Sequence, residues 1–263
     1  MVSPRSELSI NLPMHTIPIP VAAGVYRISL AWSNCYVLQH AGCIDVWLID
    51  TGLSSDRDDL MRALSVLNIK PEQVSAVLLT HGHCDHAGSA DYFHTEFGAK
   101  VYAHRDEVIH MNESKTPYGN SAWNSPFSLF QSLVFRIGER RFPVKRCSSL
   151  SLIADGDELS APGGSLRCIH TAGHTPGHTA FYRHRDGVLF SGDAILNIVP
   201  NILPGRRRIG LCLPPKLFNS ACGEVKSSAQ RLALLGPAVL ASGHGPPLTQ
   251  NTADRLRAWL NEH

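Results

Sequence analysis

Residues 74–88 read VSAVLLTHGHCDHAG, an apolar run that ends in four candidate metal ligands within six positions. Residues 74–80 have the length and apolar content of a buried strand, and the glycine-interrupted segment that follows breaks away from it. Open sheets place their reactive groups at the carboxyl ends of strands, and His81, His83, Asp85 and His86 stand at such an end. In an extended loop His81 and His83 point the same way, while Asp85 and His86, at the turn into the next helix, aim at a second point a few ångströms away. The chain has 14 histidines in 263 residues. With that composition a chance HxHxDH has an expectation of about 0.002 per chain, so coincidence explains it poorly.

Working outward, strand and helix signals alternate on both sides of this motif. Upstream, residues 25–30, 35–39 and 46–50 read as a meander closing on the Thr51-Gly52 turn. Ser54 or Ser55 is then placed to cap a helix with Leu60, Leu64 and Leu67 on one face. Downstream come a helix at 90–97, a strand at 99–103 and a short helix from about Arg105. Further strands are expected at 157–159, 165–170, 179–183 and 188–191, with Arg185-Asp186-Gly187 as a hairpin turn. The sequence next predicts one amphipathic helix over 214–235, a strand over 238–241 and a final helix over 252–261. Residues 1–23, rich in proline, read as an extended arm, and residues 111–150, with the basic run from Arg136 to Arg146, as an insertion near the site. Each half runs from meander to helix and strand. Two similar halves packed sheet against sheet, forming one domain over 24–263, are the expectation.

Three further polar residues stand at the ends of expected strands, each beside glycine: His174 in TAGHTPGHT, Asp193 in FSGDA and His244 in ASGHGPP. Glycine lets the backbone turn sharply and approach a metal closely. Together with the first four these make seven ligands, mostly imidazole, which suits two zinc ions better than one structural zinc closed by four thiolates. The seven cysteines are scattered and form no CxxC pair. That disfavours a disulfide framework and points to a reducing compartment.

The motif order resembles the metallo-β-lactamase superfamily: Asp50-Thr51-Gly52, then THGHCDHAG at 80–88, GHTPGH at 173–178, SGD at 191–193 and GHG at 243–245. The resemblance runs from Gly24 to the end of the chain. It implies an α/β fold, a four-layer αββα sandwich, and two Zn2+ per chain, with iron or manganese as alternatives. It puts His81, His83 and His174 on one metal, Asp85, His86 and His244 on the other, and Asp193 between them. The implied chemistry is hydrolysis of a thioester, ester or lactone by a hydroxide held between the metals, with Asp85 orienting the nucleophile or passing its proton on. His178 and Asp50 are expected to support the ligand loops rather than bind metal. Cys84 is read as filler, and no substrate-binding residue is assigned.

Departures from the family's branches narrow the choice. The β-lactamases proper lack the bridging aspartate, and the acyl-homoserine lactonases carry a tyrosine three residues after it, where this chain has Leu196. The glyoxalase II type shares the metal motif, but its C-terminal helical region with basic glutathione contacts is not evident after His244. A phosphodiester or RNA hydrolase and a mononuclear iron persulfide dioxygenase stand as alternatives. A net charge of +2, from 24 Lys and Arg against 22 Asp and Glu, disfavours a nucleic acid partner. The runs Arg136 to Arg146 and Arg206-Arg207-Arg208 read as solvated faces. No signal-peptide core or membrane-length apolar run is present, so the expected partner is a small-molecule substrate, with no membrane. The expected location is cytoplasmic, and a homodimer is left open.

Overall fold

The structure is a computed structural model that describes residues 16–112, 149–199 and 208–262. The expected insertion with its basic run lies almost wholly outside the described residues, as do Arg206 and Arg207. Seven strands form one sheet in chain order: β1 (Ile19–Ala22), β2 (Val25–Ser29), β3 (Asn34–Leu38), β4 (Val46–Ile49), β5 (Val74–Leu78), β6 (Lys100–His104) and β7 (Leu150–Ile153). The first four make an antiparallel meander, and β4 to β7 are parallel. Parallel neighbours need crossovers, here supplied by α1 (Arg57–Val66) and then by α2 (Cys84–Ala87) with α3 (Ala90–Phe97); α4 (Arg105–Asn112) follows β6.

The second sheet repeats the pattern with β8 (Glu158–Ala161), β9 (Gly164–His170), β10 (Thr179–Arg183), β11 (Val188–Gly192) and β12 (Val239–Ser242). Its members are antiparallel until β11 pairs parallel with β12 across α5 (Cys222–Ala233), and α6 (Thr252–Glu262) closes the chain.

Strand alternation builds the layers. On β3, Tyr36 and Leu38 face the second sheet while Cys35 and Val37 face the helices; Ala76 and Leu78 against Val77 and Leu79 repeat this around β5. The inner layer joins those residues to Cys168, Phe181 and Phe190 of the second sheet, with Tyr36 and Phe190 edge to face at 5.4 Å. Leu60 and Leu64 of α1 and Phe93 of α3 cover one outer face, and Leu232, Leu256 and Trp259 of α5 and α6 cover the other. The order is helix, sheet, sheet, helix, as the sequence leads one to expect.

Four local expectations differ. The first strand begins at Ile19, inside the stretch read as an arm, because its backbone pairs with β2 from Ile19 opposite Arg27. β7 emerges at the end of the stretch read as insertion and adds to the parallel edge through Val101 opposite Leu150. No serine caps α1: residues 54–56 form a 3-10 turn, and the buried Asp56 carboxylate accepts the Leu53 N–H at 3.0 Å. The helix expected over 214–235 is broken. A 3-10 turn at Lys216–Phe218 is followed by residues 219–221, whose amides at Ser220 and Ala221 bond the carbonyls of His174 and Gly173, and α5 starts only after that.

Candidate metal centre

All seven candidate ligands come together at one end of the two sheets. His81 and His83 leave the carboxyl end of β5, and Asp85 and His86 ride on α2. His174 sits in the β9–β10 loop, Asp193 directly after β11 and His244 one residue further beyond the end of β12. Each lies on a segment that leaves the end of a strand whose position is fixed by the buried core behind it.

Their donor atoms fall into groups. His83 Nδ1 is 2.9 Å from His81 Nε2 and 3.1 Å from His174 Nε2. His86 Nε2 is 3.3 Å from His244 Nε2, and Asp85 Oδ2 is 3.7 and 3.6 Å from those two nitrogens. Asp193 lies between, with Oδ1 3.5 Å from His86 Nε2 and Oδ2 3.5 Å from His174 Nε2 and 3.2 Å from His244 Nε2. Tetrahedral Zn–N bonds of about 2.0–2.1 Å place ligand atoms about 3.3 Å apart, so these spacings fit a shared cation. Within each of the sets His81, His83, His174 and Asp85, His86, His244 the donor atoms lie within 4.8 Å of one another.

The other ring nitrogens explain why the lone pairs converge. His81 Nδ1 donates to Thr80 Oγ1 (3.0 Å), His86 Nδ1 to Asp50 Oδ2 (2.8 Å), His174 Nδ1 to Asn219 Oδ1 (3.1 Å) and His244 Nδ1 to the Trp32 carbonyl (2.7 Å). An oxygen acceptor on Nδ1 keeps the proton there and leaves Nε2 as an acceptor facing the centre. Asp193 Oδ1 is buried and accepts no hydrogen bond, an expensive condition for a carboxylate unless a cation meets it.

Electrostatics agree with the geometry. Burial and adjacent imidazoles hold His81 well below the usual histidine range, and burial lowers His174, so both offer neutral nitrogens. Against its burial, the carboxylates of Asp193, Asp85 and Asp50 push His86 up to about 10, and Asp193 and Asp85 likewise raise His244. These carboxylates call for positive charge at the centre, which a divalent cation carries.

Asp50 occupies the left-handed region (φ 57°) at the end of β4 and accepts the Thr80 N–H (2.8 Å) and hydroxyl (2.7 Å) as well as His86. His178 is pushed down to about 3 by burial; its Nε2 accepts the Asp193 N–H (3.0 Å) and its Nδ1 donates to Thr171 Oγ1 (2.7 Å). Both brace the centre from outside the ligand groups. Cys84 belongs to neither group. A further set, His104, Asp106 and His170, lies within the same distance limit. The two rings stack face to face at 4.1 Å with 5° between their planes, so their in-plane lone pairs run side by side rather than converging.

Two of the supporting side chains carry no sequence signal. Asn219 reaches His174 from a segment that reads as helix, and Glu107, buried on α4, touches both loops that carry His81, His83 and His174. Neither has a flanking motif, and only the folded chain brings them to the site.

Residues 33–244 match the metallo-beta-lactamase superfamily, spanning every element that carries a candidate ligand. The chain belongs to this superfamily. The hydroxyacylglutathione hydrolase GloC of Haemophilus influenzae is 28% identical over 243 residues, covering 92% of this chain and 96% of that protein. The probable metallo-hydrolase YflN of Bacillus subtilis is 26% identical over 238 residues, 87% of this chain and 86% of its own length. Among solved structures, a metallo-beta-lactamase family protein from Thermus thermophilus superposes with a TM-score of 0.65 at 27% identity, covering 94% of this chain and 77% of that one. Superfamily membership and the donor set together make this chain a metal-binding hydrolase of the metallo-beta-lactamase fold. Among the described residues no helix is long and apolar enough to cross a membrane.

Proposed function

We propose that the chain is a binuclear zinc hydrolase that opens a thioester, ester or lactone carbonyl. His81, His83 and His174 would hold one metal, Asp85, His86 and His244 the other, and Asp193 would contribute to both. Asp193 carries this reading, since its carboxylate is within 3.5 Å of His174 on one side and of His86 and His244 on the other. When bound, a pair of divalent cations supplies a water of lowered pKa and a Lewis acid for the carbonyl oxygen.

The chain's own residues supply position and proton transfer. Asp85, half-buried, is the carboxylate to take a proton from the attacking water at Oδ2 and return it to the leaving sulfur or oxygen. Asp50 and His178 hold His86 and Asp193 in place while that proton moves. The thioester arm of the proposal is supported by GloC, since a hydroxyacylglutathione is a thioester. The one domain read over 24–263 takes in β1 (Ile19–Ala22) as well, since that strand pairs with β2, and the scattered cysteines, which form no CxxC pair, support a reducing, cytoplasmic setting.

Metal analysis of the purified protein, followed by thioesters, esters, lactones, β-lactams, phosphodiesters and glutathione persulfide in turn, tests the reading. Two zinc ions per chain with hydrolysis of one of the first three classes, lost in His83→Ala, is the expected result. One iron per chain with oxygen uptake on the persulfide would replace it with dioxygenase chemistry, and full activity in His83→Ala would remove the site assignment.

A further inference from the structure

The three imidazoles of the first group come from two loops with no covalent connection nearby: His81 and His83 follow β5, and His174 lies between β9 and β10. One side chain joins the loops. Glu107, in the first turn of α4 and 1% exposed, accepts the Gly82 N–H at Oε1 (2.7 Å), and the Thr175 hydroxyl (2.7 Å) and Gly177 N–H (3.0 Å) at Oε2. Gly82 is the residue between His81 and His83, and Thr175 follows His174. The loop also rests directly on the helix, since a Cβ at Gly177 would be driven into the main chain of Glu107.

The second group is braced differently. Asp85 is fixed through its carbonyl by the Ser33 hydroxyl, His86 by Asp50 and His244 by the Trp32 carbonyl. Asp50 serves both groups, since it also holds Thr80 beside His81, whereas the bonds of Glu107 all go to the loops of the first. A carboxylate suits the place because three donors converge on two oxygens. Glutamine would turn an NH2 toward donors and leave at least one of them buried and unpaired.

We infer that Glu107 is a positioning residue that sets the spacing of His81, His83 and His174, and through it the metal affinity of that group alone. This rests on the two-metal reading above. Residues that orient a metal's ligands typically alter its affinity by roughly 10- to 100-fold.

The test titrates metal-stripped wild type, Glu107→Gln and Thr175→Val with zinc against a chromophoric chelator, and records the visible spectrum of the Co2+ forms. Wild type is expected to take up two equivalents. Glu107→Gln should bind one of them at least tenfold more weakly, leave the other unchanged and alter the Co2+ spectrum; Thr175→Val should shift the same equivalent by less. A variant that melts earlier yet binds both equivalents with wild-type affinity and spectrum overturns the inference alone, as does equal weakening of both. If Glu107→Gln does not fold, Thr175→Val decides by the same criteria. Wild type that fails to bind two equivalents overturns the two-metal reading and this inference with it.

Discussion

Asp50 Oδ2 lies 2.8 Å from His86 Nδ1 while the other oxygen of the same carboxylate accepts the Thr80 N–H, so one side chain at the end of β4 braces both the second ligand group and the end of β5. Replacing it with alanine strands buried donors and leaves a non-glycine residue at φ 57° without the side chain that tolerates it. Asp50→Ala should lose about 2–4 kcal/mol of unfolding free energy, from unpaired buried groups and backbone strain. Asp50→Asn, which keeps an acceptor and tolerates the same φ, should lose less. Urea unfolding of both variants checks this, and equal stability of the two would mean the bonds to Asp50 are not what holds this corner.

Gly243 tests the placement of Asp193 without removing it. A Cβ at 243 would be driven into Asp193 Oδ1 and come 2.9 Å from His86 Cε1, while the backbone there needs no positive φ. Gly243→Ala should therefore fold with a melting temperature near wild type and lose metal content and at least about tenfold in rate, because sub-ångström ligand displacement matters at a metal centre. Elemental analysis beside circular dichroism separates the two. Full metal content with wild-type rate would show that Asp193 has room to retreat.

The fold and the candidate donor residues that it brings together were largely legible because both rest on short-range signals. The apolar run 74–80 ends in closely spaced ligands, and Gly173, Gly192 and Gly243 stand beside His174, Asp193 and His244. What escaped is what long-range contact creates. Residues 214–235 carry a continuous helical period, yet Ser220 and Ala221 give their amides to the His174 loop and interrupt it. Ile19–Ala22 follows a proline-rich stretch and reads as loose chain, but β2 offers it a sheet edge. Glu107 sits in a helix whose apolar pattern gives no hint that a carboxylate is buried there, since its partners are 25 to 70 residues away in sequence.

The Asp155–Arg231 pair gives a pH dependence that involves none of the candidate ligands. Against partial burial, the Arg231 guanidinium and the His170 N–H hold the Asp155 carboxyl below its usual 3.8. A depressed carboxyl contributes stability that is present above pH 3.8 and lost as pH falls through the lower folded value. Arg231→Ala should be less stable than wild type at pH 7 by less than about 1 kcal/mol, as suits a solvent-screened pair. The gap should close below pH 3.8. Unfolding curves at pH 7 and pH 3 give the comparison, and a gap that widens in acid would reverse the sign assigned to this pair.

The thiols should separate by burial in the native state. Burial, followed by the field of Asp157, pushes Cys168 up to about 12; burial, followed by Asp193, pushes Cys212 up to about 11; and buried Cys35 is raised well above the ordinary range. The thiolate is the nucleophile, so at pH 8.5 a thiol of pKa 12 should alkylate roughly a thousandfold more slowly than an ordinary exposed one, before steric protection is counted. Cys43 is exposed. Iodoacetamide on the folded protein, read by peptide mass spectrometry, should label Cys43 first and half-buried Cys212 more slowly, and reach Cys35 and Cys168 only after urea is added. Early labelling of Cys168 would mean that the inner layer between the two sheets opens far more readily than its packing against Phe181 and Phe190 allows.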